Sequence, residues 1–445
     1  MAEIDRRRFL KVAGLTGAAA GVAGITGGCS SGRSGPSGRP VRIGVVSNQT
    51  GALAGFGEAD SVVIANVQRT LKDGIEINGK TYPLQILLRD TGSQPPRSST
   101  VAQELIDSKI DLLLTTGAPE IVNPACAAAE RSGTPCLSTN APWQAWFFGR
   151  PDQTPAKPKT FNWTYHFMWG LEDLVAAYQS IWSQIATNKV VAALFTHDAD
   201  GDAWADPKTG LAPIFGPQGY TFVQQPRPND GDSNFSQLLR NFIAKDAQIL
   251  TGNPAPPDFA TFWRQANDTP SRFRPQIATV GKALLFPAFI EVLSPSPVGL
   301  TSEVTWHPTW PTKSSLTGLS AAQWADEYTR LTHRQWTQPI GTVHALFEVA
   351  INVLQRAGVG DPQAIVEAIQ DTSLDTIVGR LSWKQGHDKG LAPIAARNVA
   401  KFPVVGGQWV STPGKQFPFD LLITANANHP EIPVARKVQA LSPLQ

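Results

Sequence analysis

The sequence predicts an α/β protein made of two blocks, in each of which strands and helices alternate. Two observations support this class. Short apolar runs such as VRIGVVS and DLLLTTGA alternate with helical runs between Val41 and Thr139, and the same rhythm returns between Leu174 and Val280. Repeated strand–helix–strand order indicates a parallel sheet with helices on both faces. A chain of 445 residues is also too long for one small domain and suits two lobes.

The elements follow this order along the chain. The first block has the strands VRIGVVS, PLQILLRD, DLLLTTGA and TPCLST, and a Pro-rich loop over 149–160 closes it. The second block has the strands KVVAALFT, AQILTG and QIATV between helical runs. Ser320 and Gln323 then have capping-box spacing at the start of a helix. The apolar run TVHALFEVAINVLQRA predicts another helix, and strand-like segments such as FPVVGGQWV and FDLLIT end the chain.

The segment Asp73–Thr81, DGIEINGKT, matches the phosphate-loop pattern G-x-x-x-x-G-K-T. A phosphate loop needs a strand before it and a helix after it. Here Val63, Val67 and Leu71 precede the pattern at helical spacing, and residues 78–79 are Asn-Gly, the preferred pair of a two-residue hairpin turn. We therefore interpret the segment as helix, hairpin and strand, without a nucleotide site.

The N-terminus has the features of an export signal. RRRFLK, residues 6–11, resembles the twin-arginine signal, and the weakly apolar run Val12–Gly28 is too poor in strong apolar residues for a permanent membrane helix. Cys29 follows ITGG and precedes a Gly/Ser/Pro-rich stretch, as in a bacterial lipoprotein signal. We predict a signal peptide over 1–28, lipid on Cys29 and a flexible linker over 29–40. Ordinary cleavage near residue 28, giving a secreted soluble product, is the alternative.

Charge and motifs exclude two classes of function. Removing residues 1–28 leaves 38 − 4 = 34 basic and 36 − 2 = 34 acidic residues, so the mature chain has no net charge and no basic run for nucleic acid. The sequence has no G-x-S-x-G, no H-E-x-x-H and no repeated Cys/His ligand spacing, and its seven histidines are scattered. We therefore expect no enzyme and no cofactor.

Two further cysteines, Cys126 and Cys136, follow Cys29. Cys126 lies in a helical run and Cys136 opens the next strand. An exported protein can oxidise such a pair if the geometry allows it. A disulfide and two buried thiols are both open at this point.

Five segments carry a family resemblance. VRIGVVSNQTGALAGFG, GIEINGKTYPLQILLRDT, NPACAAAERSGTPCLST, ALFTHDADGDAW and IVGRLSWKQGHD resemble the solute-binding proteins of ABC importers. Within this class, the segments resemble the leucine-binding-like branch, whose members bind branched-chain amino acids and amides. These proteins are periplasmic binding proteins of type I. It implies two Rossmann-like lobes joined by a hinge of three crossing strands. Lobe 1 would comprise 41–165 and 308–376, lobe 2 would comprise 166–307 and 377–430, and 431–445 would form a tail.

The resemblance also implies a mode of action. A solute binds in the cleft, both lobes close over it, and the closed form docks on an ABC permease served by its ATPase. A monomer on the outer face of the cytoplasmic membrane, held there by lipid on Cys29, is expected. A lipid-anchored sensor that signals to a membrane receptor is the alternative, because one fold serves both tasks.

The family's contact positions lie on loops that leave the strands. For most of these positions the alternative is that the side chain packs in the core or faces solvent and does not contact a solute. Lys282 could be exposed, and Trp306 could pack in the hinge. The predicted contact residues are Phe56, Ala118, Pro119, Glu120, Asn140, Ala141, Trp143, Asp200, Gly201, Trp204, Asn253, Lys282 and Trp306.

Two positions depart from the amino-acid binders of the family. Pro119 has neither the hydroxyl nor the N–H that would hold an α-carboxylate. Lys282 lies where those binders have an acidic partner for the ammonium, so it would repel an ammonium and attract a carboxylate. We therefore expect a small polar or carboxylated solute, such as a carboxylate or an amide. Asp198, Asp200 and Asp202 alternate as in a calcium loop but lack its glutamate at position 12, so no metal is expected.

Overall fold

The computed structural model describes residues 38–154, 157–268, 272–293, 297–384, 390–426 and 428–441. The predicted signal peptide over 1–28, the lipidation site Cys29 and the linker up to residue 37 lie outside the described residues.

Strands in the described chain are short, and seven of the seventeen are buried along their whole length. In chain order they are β1 Val41–Ser47, β2 Ile75–Ile77, β3 Lys80–Tyr82, β4 Leu84–Asp90, β5 Leu112–Thr116, β6 Cys136–Thr139, β7 Thr164–Phe167, β8 Val190–Leu194, β9 Thr221–Val223, β10 Ile249–Gly252, β11 Ile277–Val280, β12 Thr301–Val304, β13 Ser373–Thr376, β14 Gly379–Ser382, β15 Val399–Ala400, β16 Val405–Ser411 and β17 Phe419–Ala425.

Helices connect these strands and cover the sheets. In chain order they are α1 Asp60–Thr70, α2 Pro95–Asp107, α3 Pro119–Ser132, α4 Trp143–Phe148, α5 Leu171–Trp182, α6 Ala199–Ala205, α7 Leu211–Phe215, α8 Ser236–Ala244, α9 Pro256–Asn267, α10 Pro287–Val292, α11 Ala321–Thr332, α12 Pro339–Ala357 and α13 Pro362–Gln370.

Two sheets organise the two lobes. The first has the order β15-β7-β6-β5-β1-β4, and all its neighbouring strands are parallel. The second has the order β17-β16-β12-β11-β10-β8-β9, in which β16 and β17 form an antiparallel edge on a parallel sheet. The predicted α/β class with two parallel-rich lobes is confirmed.

Two local sequence patterns correspond to the structural elements that they predicted. β2 and β3 pair as an antiparallel hairpin, and Asn78 and Gly79 at its turn have positive φ values of 49° and 73°. The hairpin follows α1, so the phosphate-loop pattern belongs to the scaffold. Ser320 and Gln323 form both hydrogen bonds of a capping box at the start of α11.

The chain passes between the sheets three times, and these passages set the cleft. It leaves the first sheet after β7, returns after β12 and leaves again after β15. The third passage follows residue 400, later than the boundary at 377 that the sequence suggested. The reason is that β14 pairs with β13, the Trp383 indole donates to the Asn398 carbonyl at 3.2 Å, and β15 pairs with β7 of the first sheet.

The two cysteines are buried free thiols in the first lobe. Cys126 lies in α3 and Cys136 begins β6, with their Sγ atoms 3.9 Å apart. The Trp146 indole N–H donates to Cys126 Sγ at 3.5 Å. The sequence left open a disulfide or two buried thiols, and the structure contains two buried thiols.

We expect these thiols to be protected from alkylation in the folded protein, because neither side chain is exposed. Iodoacetamide should leave the peptides that contain Cys126 and Cys136 unmodified under native conditions and modify both in urea, as peptide mass spectrometry would show. A parallel sample reduced before urea treatment is the control. Modification only in the reduced sample would mean that the pair is oxidised.

Candidate functional site

A small cavity lies where the carboxyl ends of both sheets face each other. Its free volume is about 30 Å³, so the surrounding side chains nearly fill it. Each lobe contributes seven residues. From the first lobe these are Phe56, Asn140, Pro142, Met168, Trp169, Gln338 and Pro339, and from the second Asp200, Trp204, Asn253, Lys282, Leu285, Glu303 and Thr305.

The rims of the two lobes touch through an apolar contact beside the cavity. The Phe56 and Phe286 rings meet edge to face, with centroids 4.8 Å apart. Ala118 and Ile121 from the first lobe and Leu285 from the second belong to the same buried cluster. This contact holds the lobes together along one side of the cleft.

Lys282 provides an ion pair across the cleft. Its Nζ lies 2.8 Å from Glu120 Oε1 of the first lobe, 3.0 Å from Asp198 Oδ2 and 3.3 Å from Asp200 Oδ2. The Lys282 backbone has φ 52° and ψ −62°, and the Ala283 N–H bonds the Gly281 carbonyl, which forms a γ-turn of the strained, positive-φ kind. The turn directs the lysine into the cleft.

The electrostatics of this group are governed by burial and by an excess of carboxylates. Burial raises the pKa of Glu120 and of Asp200; Lys282 opposes this shift, whereas the neighbouring carboxylates add to it. Burial alone would lower the pKa of Lys282, but the three carboxylates raise it well above its usual value. The lysine therefore favours its charged form, and the carboxyls share one cation.

Several buried polar atoms of the cavity wall have no hydrogen-bond partner among the described residues. They are the indole N–H of Trp169 and of Trp204, both amide atoms of Asn253, and Asp200 Oδ1. These residues are only 1–5 % exposed (Asn253 1 %, Asp200 5 %). Buried polar groups are nearly always paired, so a wall with three unpaired donor groups and two unpaired acceptors is typical of a binding site.

The alternating aspartates do not converge on one ion. Asp198 and Asp200 contact Lys282, whereas Asp202 pairs with Arg227 at 2.6 Å on the other side. In the described part of the chain, Glu120, Asp198 and Asp230 place carboxylate oxygens within 4.8 Å of one another and could hold a cation. The Lys282 ammonium already lies against two of these three groups.

The structure brings six predicted contact residues together in the cavity wall: Phe56, Asn140, Asp200, Trp204, Asn253 and Lys282. Two more lie beside it. Glu120 reaches the cleft through its ion pair with Lys282, and Ala118 packs in the apolar rim.

The other predicted contact residues are placed outside the cavity wall. The Trp143 indole donates to Glu172 Oε1 at 2.9 Å. Trp306 is fully buried and donates to the Ile377 carbonyl, which is the hinge-packing alternative. Pro119 begins α3, the Ala141 carbonyl contacts His166, and the Gly201 N–H donates to Asp198 Oδ1 at 2.6 Å.

Sequence reasoning missed the wall residues contributed by the crossing segments. Met168 and Trp169 follow β7, and Glu303 and Thr305 lie at the end of β12. Gln338 precedes α12, and its amide oxygen accepts from the Thr305 N–H at 2.7 Å. These residues could have been predicted only from their position in the segments where the chain passes between the lobes.

Comparison with known families agrees with this geometry. A family model described as periplasmic binding protein matches residues 40–401, most of the chain. The chain belongs to the periplasmic binding protein family. Members of this family are extracytoplasmic, ligand-binding transport proteins rather than enzymes.

Solved structures of the same fold cover nearly the whole binding protein. A leucine-binding protein from Thermotoga maritima superposes with a TM-score of 0.66 at 17% identity, covering 87% of this chain and 99% of that one. A solute-binding protein of an ABC transporter from Rhodopseudomonas palustris, in complex with 3,4-dihydroxybenzoic acid, gives 0.65 at 14% identity and covers 88% and 99%. A leucine-, isoleucine-, valine-, threonine- and alanine-binding protein from Brucella ovis gives 0.65 at 13% identity and covers 91% and 99%.

No curated protein matches the binding protein in a sequence search. Among the residues that the structure describes, no helix has the length and apolar character needed to cross a membrane.

Proposed function

We propose that this protein is the extracytoplasmic solute-binding lipoprotein of an ABC importer and that it captures a small polar solute in the cleft between its lobes. One observation carries the proposal. Buried polar atoms without partners, on Trp169 of one lobe and on Trp204, Asn253 and Asp200 of the other, surround one cavity at the junction. A solute that supplies both acceptors and donors would satisfy them.

The distribution of these groups supports capture by closure. A solute that contacts both lobes stabilises only the conformation in which both are near it. Because both lobes and the segments that connect them contribute to the cavity wall, opening would break part of the solute's contacts. An importer uses this difference, since its permease would recognise the loaded, closed form.

The relatives support a small solute without identifying it. One relative is named for leucine, another was solved in complex with 3,4-dihydroxybenzoic acid, and a third is named for five amino acids. At identities of 13–17% these names do not transfer. The side chains of this cleft, and not the fold, select its solute.

The N-terminal signals support the place of action. We propose export through the twin-arginine signal, lipid on Cys29 and anchoring at the outer face of the cytoplasmic membrane. The linker of residues 29–40 would extend to at most about 40 Å, which lets a monomer reach the permease from its anchor.

Replacement of Asn253 by alanine tests the proposed cleft. A solute panel should contain compounds that raise the melting temperature of the wild type, because a ligand bound only to the folded state stabilises it. Asn253→Ala should weaken binding of those compounds by about tenfold or more in calorimetric titration, since both amide atoms are lost. Asn162→Ala, at an exposed position outside the cleft, is the matched control. Equal affinities for Asn253→Ala and wild type would contradict the proposal.

A further inference from the structure

A carboxylate outside the cleft connects two helices that meet at the junction of the lobes. Glu172 is the second residue of α5, and its side chain is 28% exposed. The Trp143 indole N–H donates to Glu172 Oε1 at 2.9 Å, and the Gln144 amide nitrogen donates to Glu172 Oε2 at 2.6 Å. Trp143 and Gln144 are the first two residues of α4. None of these three residues lines the described cavity.

The two helices belong to different lobes. α4 is held in the first lobe, where the Asn123 amide of α3 donates to the Ala145 carbonyl at 3.0 Å. α5 is held in the second lobe, where the Trp182 indole N–H donates to Thr279 Oγ1 of β11 at 2.9 Å. Both hydrogen bonds from α4 to Glu172 therefore join one lobe to the other.

A lysine in the third passage between the lobes binds the same carboxylate. Lys401 Nζ lies 2.8 Å from Glu172 Oε1 and 2.6 Å from Asp173 Oδ2, and the lysine side chain is only 8% exposed. Lys401 directly follows β15, and the first passage runs beside it, since the Met168 N–H donates to the Ala400 carbonyl at 3.1 Å. Glu172 thus accepts three hydrogen bonds where two passages lie side by side. Hydrogen bonds to an ionised group are stronger than neutral ones.

Capping of α5 does not account for Glu172. The backbone N–H groups at the start of this helix have other partners: the Gly170 N–H donates to Asp173 Oδ2 at 2.9 Å, and the Leu171 N–H donates to Gln144 Oε1 at 3.0 Å. The Gln144 amide of the first lobe therefore uses both its oxygen and its nitrogen on α5 of the second lobe. The Glu172 carboxylate is left for contacts between the lobes and with the third passage.

We propose that Glu172 is a positioning residue that holds the two lobes together through Trp143, Gln144 and Lys401. We call these four residues the hinge network. Loss of the carboxylate would release α5 from α4 and shift the protein toward conformations in which the cleft is more open. The population of the closed form is thus set in part by residues that lie outside the described cavity wall. The hinge network requires two lobes but no particular solute, so failure of the proposed function would leave it intact.

Hydroxyl-radical footprinting of the solute-free mature protein tests the role of Glu172. Glu172→Gln keeps the side-chain shape but turns an N–H donor toward groups that are themselves donors. Trp169 and Trp204 line the cavity and are 2% exposed, whereas Trp146 and Trp182 are buried inside single lobes. We expect oxidation of Trp169 and Trp204 to rise about tenfold in Glu172→Gln, because the open population rises. Oxidation of Trp146 and Trp182 should stay unchanged. Peptide mass spectrometry measures all four rates.

Glu327→Gln is the matched control. The Glu327 side chain is 22% exposed, close to the value for Glu172, and it pairs with Arg69 at 3.1 Å and with Arg330 at 2.9 Å. All three residues lie in the first lobe, on α1 and α11. The substitution therefore removes a paired carboxylate of similar exposure without affecting a contact between lobes. We expect the four tryptophans to be oxidised at the rates of the wild type.

The pattern of oxidation separates positioning from simple stabilisation. A rise at all four tryptophans in Glu172→Gln would mean that the carboxylate only stabilises the fold, and it would overturn the proposal. Equal oxidation of Trp169 and Trp204 in Glu172→Gln and the wild type would overturn it as well. Small-angle X-ray scattering of the solute-free proteins gives a second readout. A larger radius of gyration for Glu172→Gln than for the wild type and Glu327→Gln would support the hinge network, and identical curves would contradict it.

Discussion

Replacing Lys282 by methionine is expected to lower the free energy of unfolding by about 3–5 kcal/mol, because it leaves buried carboxylates without their cation. The lysine side chain is 4% exposed and touches three carboxylates, one of which belongs to the opposite lobe. Methionine fills a similar volume, so the loss reports charge and not packing. Urea denaturation of the mature protein would measure it.

The effect of Lys282→Met should depend on pH in a defined direction. Glu120 and Asp200 have pKa values raised by burial, and they face Asp198, Asp230 and Lys282. A carboxyl group whose pKa is higher in the folded state binds more protons in that state than in the unfolded state. It does not lower the free energy of unfolding at a pH below its unfolded pKa. The free energy of unfolding falls as the pH rises from there through the folded pKa. Removing the lysine raises these pKa values further. The loss of stability should therefore be larger at pH 8 than at pH 5.

A surface lysine provides the control. Lys384 pairs with Asp371 at 2.9 Å, but both side chains are largely exposed (48% and 73%). Lys384→Met should change stability by less than about 1 kcal/mol at either pH. Equal effects of the two substitutions, or a loss in Lys282→Met that is greater at pH 5, would mean that the ion pair across the cleft does not have the role assigned to it.

Replacing Gly201 by alanine is expected to abolish solute binding and to destabilise the fold by about 1–3 kcal/mol. A Cβ at residue 201 would lie 2.8 Å from the Thr196 carbonyl carbon and closer still to its oxygen, so the backbone of α6 has to move. Asp200 and Trp204 lie on α6 and would leave the cavity wall. The N-cap bond from the Gly201 N–H to Asp198 would be broken by the same movement.

Gly216→Ala is the matched control for Gly201→Ala. Gly216 has a helical φ of −53°, and a Cβ there would meet no atom within 4 Å. Alanine should leave stability unchanged or raise it by up to about 1 kcal/mol, with unchanged solute affinity. Thermal denaturation and calorimetric titration of both variants would compare them. Normal solute affinity in Gly201→Ala would show that the position of α6 is not critical for the cleft.

The scaffold was accessible from the sequence because its signals are local. An Asn-Gly pair between short alternating strands predicts a hairpin, and apolar runs of strand length between helical runs predict parallel sheets. These patterns depend on neighbours within a few residues, and each formed the expected element in the structure.

The environment of the cleft was less accessible because it depends on distant partners. Lys282 lines the cavity, but its main partner across the cleft, Glu120, is 162 residues away in the chain, so its surroundings could not be deduced from spacing. Trp143 lies on one of the predicted contact loops, but its indole N–H donates a hydrogen bond to Glu172. Trp169 and Glu303 reach the cavity only because the chain passes between the lobes beside them.

A crystal structure of the protein with the tightest-binding solute of the panel tests the central claim most directly. We expect the solute in the cavity between the lobes, with hydrogen bonds to Asn253 and Asp200 from the second lobe and to Trp169 from the first. A solute bound at another surface, with these polar atoms still unpaired, would contradict the account.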